Sequence, residues 1–168
     1  MDVIGIAIGN VCSLLAMVTD SISAAQKTAK RVLIFQSLSQ LCYGIGALVL
    51  SGYSAAVQNL VSILRNLVAI KNINSKVLEW TLTILGVVLG LYFNNLGLLG
   101  LLPVVANLQY TLAIFRFKDN ERALKISFMI AIGMFAVFNT VIYNAVGAIG
   151  NAVVCVSTAI SLIRSSKK

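Results

Sequence analysis

Residues 79–115 read EWTLTILGVVLGLYFNNLGLLGLLPVVANLQYTLAIF, and Glu79 is the only charged residue among them. The hydrocarbon core of a bilayer is about 30 Å thick, so a helix that crosses it needs about 20 largely apolar residues. The stretch is about twice as long as that. Asn94-Asn95-Leu96-Gly97 divides it, and such polar and glycine clusters mark turns. We therefore predict two spanning helices joined by a tight hairpin.

Apolar runs of this kind fill the whole chain. Its 168 residues are 59% hydrophobic and 11% charged, and the mean hydropathy is +0.94, whereas soluble domains carry about 25% charged residues. Breaks at polar or Gly/Asn clusters predict seven spans. They lie near residues 3–20, 30–50, 54–71, 77–93, 97–115, 124–142 and 145–163. We expect an all-α membrane protein of seven transmembrane helices without an extramembrane domain.

The basic residues predict how these spans are oriented. They lie between spans one and two, three and four, and five and six, and after span seven: Lys27, Lys30, Arg31, Lys71, Lys76, Arg116, Lys118, Arg122, Lys125, Arg164, Lys167 and Lys168. Connections 51–54, 94–97 and 143–145 contain no lysine or arginine. Because short cytoplasmic loops accumulate basic residues, we predict an outside N-terminus and a cytoplasmic C-terminus. The net charge of +8 thus reflects topology and contact with lipid headgroups, and we expect no nucleic-acid partner.

The sequence also contains a weak internal repeat at an offset of about 92 residues. The matched pairs are Gly5 and Gly97, Lys30 and Arg122, Ser51 and Tyr143, and Asn59 and Asn151. The repeat predicts a 3+1+3 arrangement: a first three-helix unit at 1–72, a linker helix at 73–95 and a second unit at 96–168. An odd linker gives both units the same orientation, a parallel repeat of the kind that places a transport path between the units.

Two family resemblances support this arrangement. Tyr43-Gly44, followed by Asn59 in an apolar helix, resembles the third helix of SWEET sugar facilitators. That resemblance implies that Asn59 and Asn151 face a substrate.

More closely, SILRNLV at 62–68, LLPVV at 101–105 and the ending at 160–164 resemble the YgjV family of bacterial inner-membrane proteins, which implies a multi-pass location in that membrane. SWEET and PQ-loop proteins use prolines in four helices, whereas Pro103 is the single proline here, so we expect at most one hinge, in span five.

Polar side chains within the predicted spans are the candidates for a binding path. Such residues usually face the bundle interior or a watery cavity, although amides also serve as packing contacts between helices. The substrate-path candidates are Asn59, Asn151, Tyr43, Gln36, Gln40 and Asn107. Amides donate and accept hydrogen bonds, which suits a neutral hydroxylated or heterocyclic solute.

Charged residues near the spans supply further expectations. Arg65 lies within span three, and Asp20 lies at the inner end of span one. Arg65, partnered by Asp20, is a candidate cytoplasmic gate or anion contact, while a snorkelling role for Arg65 is equally compatible with the sequence. All five acidic residues, Asp2, Asp20, Glu79, Asp119 and Glu121, fall at predicted ends or loops. Ion-driven carriers usually place a carboxylate mid-membrane, so we expect passive transport.

Three functions remain open from the sequence. The first is a passive facilitator of a small neutral solute, moving by alternating access between two three-helix units. The second is a membrane assembly or regulatory partner that transports nothing, and an intramembrane enzyme ranks third. We expect no enzyme, cofactor or metal, since the chain has no histidine and no converging catalytic set. Gly86 and Gly90 predict close helix packing, with a homodimer face as the alternative.

Overall fold

The structure, a computed structural model, describes residues 3–73, 75–117 and 120–165. All regular structure in these ranges is helical. The α-helices are α1 Val3–Ala24, α2 Ala29–Val49, α3 Tyr53–Ile70, α4 Lys76–Tyr92, α5 Leu102–Arg116, α6 Glu121–Val141 and α7 Ala145–Ser165, and a 3-10 turn at Leu99–Leu101 precedes α5. The predicted all-α class and its seven helices are confirmed. Asp2, Lys118, Asp119, Lys167 and Lys168, which entered the charge argument, lie outside the described residues.

Five helical segments in the described ranges are long and apolar enough to cross a membrane. They are α1, α2, α6, α7 as far as Ile163, and the 3-10 turn together with α5. Two helices fall outside this group: α4 has 17 residues, and α3 buries many polar residues. The polar face of α3 reflects its position beside the central cavity described below.

The distribution of residues is the reverse of that in a soluble protein. Large apolar side chains point outward, with Leu41 53%, Val88 55% and Ile130 51% exposed. Many polar side chains lie in the interior beside apolar ones, and Arg65 is only 1% exposed. Because soluble proteins bury apolar groups and leave charged groups in water, this surface is suited to lipid.

Six helices surround a common centre. Helix α1 packs on α2 and α7, α2 packs on α3, α3 on α5, α5 on α6, and α6 on α7, which closes a ring. Helix α4 lies outside the ring against α3 and α5. Gly86 and Gly90 allow this contact, because a Cβ at Gly90 would overlap Gln58 Nε2 and lie 2.7 Å from Val104 Cγ2. This glycine pair therefore serves internal packing.

The same turn ends α2 and α6. Ser51 and Tyr143 both have φ of 58°. The next residues, Gly52 and Asn144, donate their backbone N–H to the carbonyls of Ala47 and Asn139. This six-to-one hydrogen bond after a left-handed residue is the Schellman motif.

Pro103 does not interrupt a helix. It occupies the first turn of α5, directly after the 3-10 turn, where a backbone N–H would have no intrahelical partner. At this position no helical hydrogen bond is lost, so the proline marks the start of α5. A hinge role for Pro103 stays a prediction, now placed at the junction of the two helix types.

A polar cavity at the centre of the helix ring

A small cavity of about 40 Å³ lies inside the ring, and every ring helix contributes to its wall. Its polar lining comprises Asp20 from α1, Gln40 and Tyr43 from α2, Asn59, Ser62 and Arg65 from α3, Asn107 and Tyr110 from α5, Asn139 from α6 and Asn151 from α7. Its apolar lining includes Phe128, Ile132 and Phe135 of α6. We call this space the central cavity.

Most of the candidate residues from the sequence line this cavity. Asn59, Asn151, Tyr43, Gln40 and Asn107 do so, and both gate candidates, Arg65 and Asp20, join them. Gln36 stands behind the wall, where its side-chain amide and the Tyr110 hydroxyl exchange hydrogen bonds of 3.1 and 3.2 Å. Pro103, the hinge candidate, does not contribute to the lining.

The guanidinium of Arg65 is held by neutral groups of α3 and α5. Its Nη1 donates to Asn107 Oδ1 at 2.7 Å and to Thr111 Oγ1 at 3.0 Å, while Nε and Nη2 donate to Asn66 Oδ1. The guanidinium carbon also lies 4.9 Å from the centre of the Tyr110 ring, within range of a cation–π interaction. Burial at 1% exposure excludes the snorkelling interpretation, since the charged end does not reach water.

Asn107 is the hub of this network. Its Oδ1 accepts hydrogen bonds from Arg65 and from Ser62 Oγ, both at 2.7 Å. Its Nδ2 donates to Gln58 Oε1 at 2.6 Å, and Gln58 Nε2 donates to the carbonyl of Gly86 at 2.7 Å. The chain of amides thus connects α5 through α3 to α4.

Asp20 and Arg65 line the same cavity without forming an ion pair. Asp20 is buried and hydrogen-bonds to Ser39 Oγ. Among the side chains described, which end at Ile163, the only carboxylate-to-cation contact within 4.0 Å joins Glu121 and Lys125. The central cavity therefore carries an acidic and a basic group at separate places on its wall.

The ring helices also meet across the cavity through uncharged groups. Tyr43 donates its hydroxyl proton to Asn151 Oδ1 at 3.1 Å, which connects α2 with α7. This contact pairs two substrate-path candidates that the sequence could only place on separate helices.

Two larger cavities open toward the ends of the helices where the basic loop residues lie. One, of about 350 Å³, includes Lys27, Gln36 and Lys125 in its wall, and the other, of about 400 Å³, includes Lys30 and Lys76. The first cavity shares Tyr110 and Phe128 with the central cavity. These two rings lie 5.4 Å apart between centres, so they form the partition between the two spaces.

The opposite end of the ring is closed. Leu50, Phe138 and Ile142 form a buried apolar cluster there with Ala47, Ala55 and Ala56. Polar contacts continue the closure, since Asn144 Nδ2 donates to Ser13 Oγ at 2.7 Å and Asn10 Oδ1 accepts from the backbone of Val146 at 2.9 Å.

The sequence analysis does not predict a role for Tyr110, Phe128 or Thr111. A usable signal was present, because Tyr110 and Thr111 follow Asn107 by three and four positions and hence share its helix face. Phe128 carried no comparable signal, since it lies in an apolar run where aromatic residues also face lipid.

An apolar surface, a polar interior and several membrane-length helices define an integral membrane protein. The family model described as "Bacterial inner membrane protein", Imp-YgjV, matches residues 7–168. The chain therefore belongs to the Imp-YgjV family of bacterial inner-membrane proteins, as its resemblance to YgjV predicted. No curated protein and no solved structure shows significant similarity to it.

Proposed function

We propose that the protein is a facilitator that moves a small solute without net charge across the inner membrane. The observation that carries this proposal is the central cavity, because all six ring helices contribute to it and four of its lining residues are asparagines, Asn59, Asn107, Asn139 and Asn151. Amides can donate and accept hydrogen bonds together, so a sugar-like or heterocyclic solute fits their chemistry.

The proposed mechanism is alternating access between two three-helix units, α1 to α3 and α5 to α7, in a 3+1+3 parallel repeat. Residues 92 positions apart support this arrangement, since Tyr43 and Phe135 both line the cavity, as do Asn59 and Asn151. The units also meet at related contacts, α1 with α7 and α3 with α5. In this proposal the N-terminus lies outside and the basic ends of the helices face the cytoplasm.

The sizes of the cavities support movement of one unit against the other. A volume of about 40 Å³ accommodates about one water molecule, so a solute requires the units to separate. The 350 and 400 Å³ cavities lie on the proposed cytoplasmic side, and the apolar cluster around Phe138 closes the other side. Separation is thus expected to begin at the partition formed by Tyr110 and Phe128.

Uptake into proteoliposomes tests this function. Purified protein is reconstituted, and a panel of labelled polar solutes is screened for flux. The solute must move down its own concentration gradient when no ion gradient is present. Asn59→Ala and Asn151→Ala are expected to lower that flux at least tenfold, because both amides line the path. Gln109→Ala is the matched control, since the Gln109 side chain contacts Ser127 and does not line the cavity. Flux that is absent, or unchanged in both asparagine variants, contradicts the proposal.

A second candidate is an assembly or regulatory partner that transports nothing. It is favoured by one observation, namely that the polar groups between α3 and α5 already bond one another in a dense network around Asn107. Such a network can serve packing alone. Purification that retains one other membrane protein in fixed proportion, together with absence of flux, would support this candidate.

A further inference from the structure

We propose that the solute is a small zwitterion, whose anionic group binds Arg65 and whose cationic group lies toward Asp20. This inference rests on the proposed carrier function and deepens it by naming the class of solute. A zwitterion carries no net charge, so it remains within the class argued above, but it differs chemically from a sugar or a heterocycle.

Among the described side chains, the charge of Arg65 is unpaired. A guanidinium carries five N–H donors, and the four hydrogen bonds of Arg65 all end on the neutral side chains of Asn66, Asn107 and Thr111. These bonds hold the group in place but supply no negative charge. A buried charge without a counter-ion is costly, and one N–H donor, on Nη2, remains for an anionic group.

Asp20 lies on the wall of the same cavity. Its hydrogen bond to Ser39 satisfies one of the several acceptor positions of a carboxyl group. Among the side chains that the structure describes, those of residues 3–73, 75–117 and 120–163, no lysine or arginine lies within 4.0 Å of it, and the Glu121 to Lys125 contact is the only such pair. The other polar groups that face the cavity from α2 and α7, Gln40, Tyr43 and Asn151, are uncharged or weakly acidic.

The two proposed units contribute different kinds of side chain to the cavity. Asp20 and Arg65 both belong to α1–α3, whereas α5–α7 contribute amides, Tyr110 and the apolar side chains of Phe128, Ile132 and Phe135. A zwitterion held by the charges of the first unit would expose its uncharged part to the second. A neutral sugar would leave the Arg65 guanidinium without a counter-ion in the cavity, which is unfavourable.

Thermal unfolding of the purified full chain tests binding independently of transport. The probes, at equal millimolar concentration, are L-alanine and glycine betaine as zwitterions, lactate as an anion, ethanolamine as a cation and D-glucose as a neutral solute. We expect a concentration-dependent rise in Tm with at least one zwitterion and none with the other three. Arg65→Gln and Asp20→Asn are each expected to weaken that binding at least tenfold.

Controls separate this effect from a loss of folding. Arg116→Gln and Glu79→Gln remove a basic and an acidic charge that do not line the central cavity, and they should leave the shift intact. If Arg65→Gln does not fold, Arg65→Lys keeps the charge but cannot reproduce the hydrogen bonds that position the guanidinium, and it should weaken the shift.

If glucose stabilises the protein and still does so in the Arg65→Gln variant, the zwitterion proposal is overturned while the proposed carrier function is not. Equal stabilisation by lactate, or no shift with any probe, would also overturn it. Flux in proteoliposomes decides the carrier function separately.

Discussion

The replacement Asn107→Ala removes the hub of the buried network without altering the cavity's charges. It deletes the acceptor for Arg65 Nη1 and for Ser62 Oγ, together with the donor to Gln58 Oε1. Hydrogen bonds between neutral groups in membrane bundles contribute about 0.6 kcal/mol each, and a bond to a charged group contributes about 1.5 to 3 kcal/mol. We therefore expect the free energy of unfolding to fall by about 3 to 4 kcal/mol.

Unfolding in mixed detergent and SDS micelles, followed by circular dichroism, measures this loss. Gln109→Ala is the matched control, because it removes an amide from the same helix whose two bonds, to the Ser127 carbonyl and hydroxyl, involve no charge. Its expected cost is about 1 kcal/mol. The reasoning is refuted if Asn107→Ala destabilises the protein no more than Gln109→Ala does.

Three further changes test separate parts of the structure. Gly90→Ala should lower the free energy of unfolding by about 1 to 3 kcal/mol, since its Cβ would overlap Gln58 and Val104. Gly133→Ala is the control and should leave the stability unchanged, because its Cβ meets nothing within 4 Å. Equal losses for the two variants in SDS titrations would contradict the α4 packing. Tyr110→Phe removes the hydrogen bonds to Gln36 and should increase thiol labelling at Ala106→Cys severalfold, whereas unchanged labelling would argue against the partition. Tyr43→Phe should cost about 0.6 kcal/mol by breaking the α2 to α7 contact, and a stability equal to wild type would count against that contact.

The helices were predictable because the bilayer requires long apolar segments, and these can be recognised directly in the sequence. Asn94 to Gly97 divides the long apolar stretch where the structure ends α4 at Tyr92 and begins the next helical turn at Leu99. A charged residue in the sequence does not indicate in the same way how deep in the membrane its side chain lies. The sequence predicts Asp20 at the end of its span, yet α1 continues to Ala24 and Asp20 lines the central cavity. The premise that no carboxylate lies inside the bundle, from which passive transport is predicted, therefore does not hold for Asp20.

The pairing of the site residues could not be read from the sequence. Helical periodicity places Asn59 and Arg65 within α3, but only tertiary packing brings α5 and α6 against them. The contact between Tyr43 and Asn151 joins residues 108 positions apart, and no local pattern encodes it. The start of α5 was hidden for a related reason, since the 3-10 turn before Pro103 lies inside an unbroken apolar run.

Access to the central cavity from the two sides of the membrane tests the central claim most directly. Asn59→Cys is introduced into a chain in which Cys12, Cys42 and Cys155 are replaced by serine, and a membrane-impermeant thiol reagent is applied to right-side-out and inside-out vesicles. The carrier account predicts labelling from both sides. It also predicts that an engineered disulfide closing the cluster around Phe138 restricts labelling to the cytoplasmic side. A cysteine that is inaccessible from both sides, or accessible from only one without the disulfide, would contradict alternating access.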